Sequence, residues 1–207
     1  MFIGSMKLIA LMFVIITLST GCSSDRDNSK LAYISSRAGS EYQNTFEELR
    51  VGTLFDFNLN LLKADKTWVE ILVEGYHDGE RVEPFPITKL SYGFHPSEVA
   101  NGKMGLGIIN PPNSAPLFFL YSEGVRVGPH SADTELFGND MVSWAYAIGK
   151  GTFSLDSGEE MVLAVCRGNS REIRSGYDYQ DPDAIEEMIR ENKTVLLLKI
   201  KVEEKSR

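Results

Sequence analysis

The chain has little of several things that usually betray a protein's chemistry. Its 207 residues include two cysteines, Cys22 and Cys166, and three histidines, His77, His95 and His130. There is no CxxC pair, no serine in a GxSxG elbow, no GxGxxG and no GxxxxGKS/T phosphate loop. A dithiol redox centre, the common serine-hydrolase signature and nucleotide cofactor loops are therefore missing, and no cofactor is expected. Positive charge is also scarce. Lys and Arg number 21 against 29 Asp and Glu, a formal net charge of -8. Phosphate-backbone binding depends on released counterions and local positive charge, so nucleic acid is not an expected partner.

Long hydrophobic runs are rare too. The one prominent run, Leu8 to Leu18, is well short of the roughly 20 residues that span a bilayer as a helix. Lys7 precedes it, and Ser19, Thr20, Gly21 and Cys22 follow. A charged start, a short apolar core and small residues make an export signal rather than a permanent span.

Small residues directly before a cysteine resemble the processing box of bacterial lipoproteins. Here Leu18 stands one place earlier than the family's usual branched aliphatic, with Ser19 in its position. The resemblance is confined to the N terminus. It implies cleavage between Gly21 and Cys22 and a diacylglyceryl thioether on the Cys22 sulfur. The two acyl chains anchor durably where a single chain would be marginal. The expected location is extracytoplasmic, lipid-anchored to a bacterial membrane, inner or outer. The expected organisation is a signal peptide over 1–21, a lipidated N terminus and flexible tether over 22–40, and one mainly-β domain over 41–207. Cleavage removes Lys7 and no acid, so the mature body is more acidic still.

That body is long enough to bury a core without disulfides. With Cys22 lipidated, Cys166 has no intrachain partner, and its setting in EMVLAVCRG reads as a buried strand thiol. Strand patterns dominate. In TLFDFNLNLL, Phe55, Phe57, Leu59 and Leu61 alternate with Asp56, Asn58 and Asn60, the period of a half-buried antiparallel strand. The Asp56/Asn58/Asn60 face reads first as solvated, and second as a place to meet a cation or sugar hydroxyls. TWVEILVEGY repeats the alternation through Val69, Ile71 and Val73 and runs into a His77-Asp78-Gly79 turn. PITKLSYGF, KMGLGIIN, PLFFLYSEG, SWAYAI and TFSLDSGEEMVLAVC supply further strands, broken by NPPNSAP. VRVGPHSADTELFGND reads as loop-rich with at most one short strand.

SEYQNTFEELR reads as a brief helix or an irregular segment. The clearest helix is DPDAIEEMIRENK: Asp181 caps it, Pro182 suits its first turn, and Ile185, Met188 and Ile189 share a face. TVLLLKIKV then returns to β periodicity through Leu196, Leu198, Ile200 and Val202. Together these predict an antiparallel β-sandwich, Ig-like in general architecture, with a short helix near the C terminus. A partly open barrel is the alternative.

Catalytic signals are weak. The three histidines lie in YHDG, FHPS and GPHS, spacings that encode no compact metal site, so separate turn roles are the simpler reading. Glu159-Glu160 and Glu186-Glu187 are adjacent pairs, which does not place carboxylates across a cleft. Aromatics offer more. Tyr177 and Tyr179, flanking Asp178, project together if extended and are the candidate recognition residues, with packing as the competing role.

The function these features favour is a non-catalytic binding or interaction module of the bacterial envelope. It would meet the membrane through Cys22 and contact an envelope protein or a cell-wall glycan. The alternatives are a lipid-anchored hydrolase, metal-assisted or acid-base, and a purely structural envelope protein.

Overall fold

The computed structural model describes residues 29–112, 114–132 and 135–206. Cys22 and the export segment lie outside them. In chain order the elements are β1 (Lys30–Ser36), α1 (Glu41–Glu48), β2 (Gly52–Leu61), β3 (Thr67–His77), β4 (Glu80–Arg81), β5 (Thr88–Gly93) and β6 (Ala100–Ile109). There follow β7 (Leu117–Ser122), β8 (Val125–Ser131), β9 (Met141–Tyr146), β10 (Thr152–Asp156), β11 (Glu160–Asn169), α2 (Pro182–Glu191) and β12 (Thr194–Glu204).

Two antiparallel sheets face each other as a sandwich. The first runs β10-β1-β2-β6-β7-β8 and the second β4-β3-β12-β11-β9, with β5 on the same edge of β3 as β4. The described strands divide between two separate sheets, neither closed, so the architecture is the expected sandwich. Alternation dictates what each strand gives to the core. Phe55, Phe57, Leu59 and Leu61 of β2 meet Val69, Ile71 and Val73 of β3 and Leu196, Leu198, Ile200 and Val202 of β12 in one cluster. The Asp78-Gly79 turn joins β3 to β4 with positive φ at both residues, +50° and +81°, as a two-residue hairpin that follows strand twist requires.

β12 is central and buried on both faces. Its Val195 and Leu197 join Val162, Val165 and Met188 in a second cluster on the outer side of the second sheet, capped by α2. The helix begins as its sequence predicts: Asp181 accepts from the Asp183 amide, Pro182 opens the first turn, and Met188 is buried with Ile185 and Ile189 against the cluster.

The boundary of the tether needs correcting. The reading of 22–40 as tether takes in β1, which lies between β10 and β2 and has Leu31, Ala32 and Ile34 fully buried. Its apolar residues are too few, beside the polar DRDNSK, to announce a strand; burial comes from its two neighbours. VRVGPHS forms the edge strand β8, the one short strand allowed for in its loop-rich stretch, with most of its residues exposed.

α1 is the brief helix of the two readings open for SEYQNTFEELR. Ser40 caps it, accepting from the Gln43 amide at 3.3 Å. It lies on the outer face of the first sheet, where it raises a wall beside the strands.

Candidate functional site

The outer face of the first sheet carries a groove of about 1030 Å³. Strand register builds its floor. Thr152, Ser35, Asn58 and Lys103 stand opposite one another across β10, β1, β2 and β6. One rung further along, Tyr33, Asn60 and Asn101 align across β1, β2 and β6. Side chains directly opposite on one face stand about 5 Å apart, so the rungs form a continuous polar strip. All seven residues line the groove, with Tyr42, Tyr121 and Glu123 at its margins. None of Tyr33, Ser35, Asn58, Asn60, Asn101 or Thr152 spends its side chain on a hydrogen bond among the described residues. The Asn60 Oδ1 atom is buried there without a donor. Lys103 holds its ammonium 4.7 Å from the centre of the Tyr42 ring.

The wall at the α1 end is aromatic and rests on glycine. Gly107 pairs with Phe119 and Gly105 with Tyr121 across β6 and β7. A Cβ at Gly107 would fall 2.0 Å from the Phe119 ring, so each ring lies flat over a residue with no side chain. α1 completes the layer: Phe46 packs on Phe119 at 6.1 Å between centroids and Tyr42 on Tyr121 at 6.3 Å.

Beneath this wall Asp56 is fully buried, which overturns the solvated reading for that one member of its face. Its carboxylate accepts from Arg37 at 2.9 Å and from the Tyr121 hydroxyl at 2.8 Å. Its amide donates to the Tyr146 hydroxyl, which in turn donates to Gln43 Oε1 at 3.1 Å. Burial, and then the Asp56 charge, push the Tyr121 phenol well up from its ordinary value; burial likewise raises Tyr146. Both tyrosines stay neutral donors. This network ties α1 to the sheet and fixes Tyr121 at the groove margin. Its members satisfy one another, so we assign it a positioning role rather than a chemical one.

Tyr177 and Tyr179 sit elsewhere, on the outer side of the second sheet. They are brought close together, but over Arg167, whose guanidinium lies 5.6 Å and 6.0 Å from the two ring centres. Both are half-buried against the second cluster, and the Tyr177 hydroxyl is engaged by Glu191. Their rings pack over Arg167 and the second cluster in the segment before α2, and Tyr177 also lines a surface pocket with Arg174 and Glu191.

The histidines keep separate company. His77 Nδ1 is 3.0 Å from Thr194 Oγ1, His95 Nδ1 accepts from the Ser97 amide, and His130 lies on the exposed edge strand β8. Among the described residues no group of three or more His, Cys, Asp and Glu is placed to hold a metal ion. Cys166 is buried in the main core, where desolvation raises its thiol well above the ordinary value, as its strand setting suggests. Among the described residues no helix is long and apolar enough to cross a membrane.

Sequence reasoning finds Asn58 and Asn60 but misses their partners. Tyr33 and Ser35 fall in the presumed tether, and Asn101 and Lys103 alternate only briefly before the glycine-rich half of β6. The alternations in YIS and NGK are the signals that point to them.

Compared with known proteins, the chain matches no family model, no curated protein and no solved structure. Its function has to be read from its own residues.

Proposed function

We propose that this chain is a lipid-anchored, extracytoplasmic binding module of a bacterial envelope, and that the groove on the outer face of the first sheet is its binding surface. The observation that carries the reading is the strip itself. Cross-strand polar side chains without partners among the described residues lie beside an aromatic wall whose support is a buried, mutually satisfied network. Preformed clefts with a few convergent polar groups and aromatic walls are where proteins bind small molecules and chains.

The export segment and Cys22 supply the place. Residues 22–29 reach at most ~28 Å when fully extended, so an acylated Cys22 holds the β body close to the bilayer. Tethering raises the local concentration of the groove near envelope partners and needs no bond chemistry. The hydrolase alternative asks the histidines to converge, and their separate contacts give it no support.

Two measurements test the reading. Intact mass of the mature protein from its host should show a diacylglyceryl Cys22 at the N terminus, and Cys22→Ala should abolish both acylation and cleavage. Envelope material freed of lipid should retain the detergent-solubilised protein, and Asn58→Trp, which fills the groove from an exposed position, should release it. An unmodified N terminus in the aqueous fraction defeats the anchor; retention indifferent to Asn58→Trp defeats the groove.

A further inference from the structure

We infer that the groove takes an extended strand of neutral sugars. The inference rests on the binding reading above and names the chemical class of its ligand.

Three features select that class. The first is the kind of group on offer. Asn58, Asn60 and Asn101 each present an amide that both donates and accepts, and Ser35, Thr152 and Tyr33 present hydroxyls that do the same. Sugar hydroxyls have the same dual character, so each contact can be made in either sense. An apolar ligand would leave the exposed amides and hydroxyls of the strip desolvated without partners.

The second feature is charge. An anionic ligand calls for convergent cations, and the groove offers Lys103 alone, turned over the Tyr42 ring and accompanied by Glu123. The groove is thus near neutral on a strongly acidic protein. This disfavours charged polymers of either sign.

The third is shape. The strip crosses β10, β1, β2 and β6, whose spacing of about 4.8 Å gives it a length of about 14 Å, room for about three pyranose rings in a row. Peptides that add to a sheet use unpaired backbone groups at an edge. β1, β2 and β6 each have a strand on both sides, so here side chains must do the recognition. Tyr33, Tyr42 and Tyr121 bring aromatic surface to the lining as an apolar counterpart for sugar C–H groups.

The test uses the mature acylated chain in a detergent without a sugar headgroup, titrated calorimetrically with cellohexaose, chitohexaose and hexagalacturonate. At least one neutral hexamer should bind saturably, its trimer, which already fills a strip about three rings long, comparably, and its monosaccharide more weakly. Asn60→Ala and Asn58→Trp should each weaken it at least tenfold, and hexagalacturonate should bind at least tenfold more weakly than the neutral chain. Hexagalacturonate binding as well as the neutral hexamers overturns the assignment of a neutral ligand. Neutral binding unaffected by either variant overturns the groove as its location. If no hexamer binds while envelope retention still depends on Asn58, the sugar class is wrong and the binding reading stands; if retention is also indifferent to Asn58→Trp, both fall.

Discussion

Tyr121 gives its phenolic hydrogen to Asp56 Oδ1 across 2.8 Å, linking a side chain at the groove margin to a carboxylate with no exposure to solvent. Arg37 closes the other side of the same carboxylate, itself 24% exposed. A hydrogen bond to a buried charge is worth about 1.5–3 kcal/mol, whereas removing the ionic partner of a buried charge costs about 3–5 kcal/mol. Tyr121→Phe should therefore lower unfolding stability by about 2 kcal/mol and Arg37→Leu by about 3 kcal/mol, measured by urea denaturation. The two losses should be non-additive, since both act on Asp56.

The glycine floor makes a sharper steric prediction. A Cβ at Gly105 would fall 2.0 Å from the Phe55 carbonyl oxygen, which is backbone, while one at Gly107 meets the Phe119 ring, which can tilt. Overpacking typically costs about 1–3 kcal/mol. Gly107→Ala should sit at the low end and loosen α1 through Phe46; Gly105→Ala should sit at the high end or beyond. Thermal melts give the order, and amide exchange in 41–48 reports the loosened helix.

Alkaline pH should unfold the protein through its tyrosines. Burial pushes Tyr92 up to about 12, and burial with the neighbouring Glu74 carboxylate does the same for Tyr76, from an ordinary 10.0. A phenol whose value is raised on folding contributes stability that is complete below its unfolded value and is lost as pH climbs through the folded one. The melting temperature should hold steady up to about pH 10 and fall between about pH 10 and 12. Tyr92→Phe, which cannot ionise, should flatten part of that fall, although it also removes the 2.7 Å contact with Ser122 Oγ.

For Tyr177 and Tyr179, packing and recognition predict different outcomes. Half-buried aromatic area on the second cluster is worth about 1–2 kcal/mol per ring. Tyr177→Ala and Tyr179→Ala should each lower stability by that amount and leave envelope retention unchanged. Lost retention at unchanged stability would restore them as recognition residues.

The sandwich was legible where alternation is long. β2, β3 and β12 declare their core faces residue by residue, and α2 declares both its cap and its buried stripe. β1 was not legible, because a strand held by neighbours on both sides needs few apolar residues of its own. The site was half legible for a related reason. Asn58 and Asn60 stand out in a long alternating strand, but the groove exists only through register, which brings Tyr33, Ser35, Asn101 and Lys103 beside them from distant segments. Asp56 shares the same alternation and the opposite fate, because α1 and Tyr121 cover it. No local pattern separates a covered polar position from an open one.

Ligands are expected to meet the outer face of the first sheet. The side-chain amide signals of Asn58, Asn60 and Asn101, followed by nitrogen-15 NMR while solubilised envelope glycan is added, test it most directly. Those three should shift together and saturably, while Asn169 and Asn192 near α2 stay fixed. Shifts gathered at Asn169 and Asn192, or none at the three floor asparagines on saturation with material that retains the protein, would contradict it.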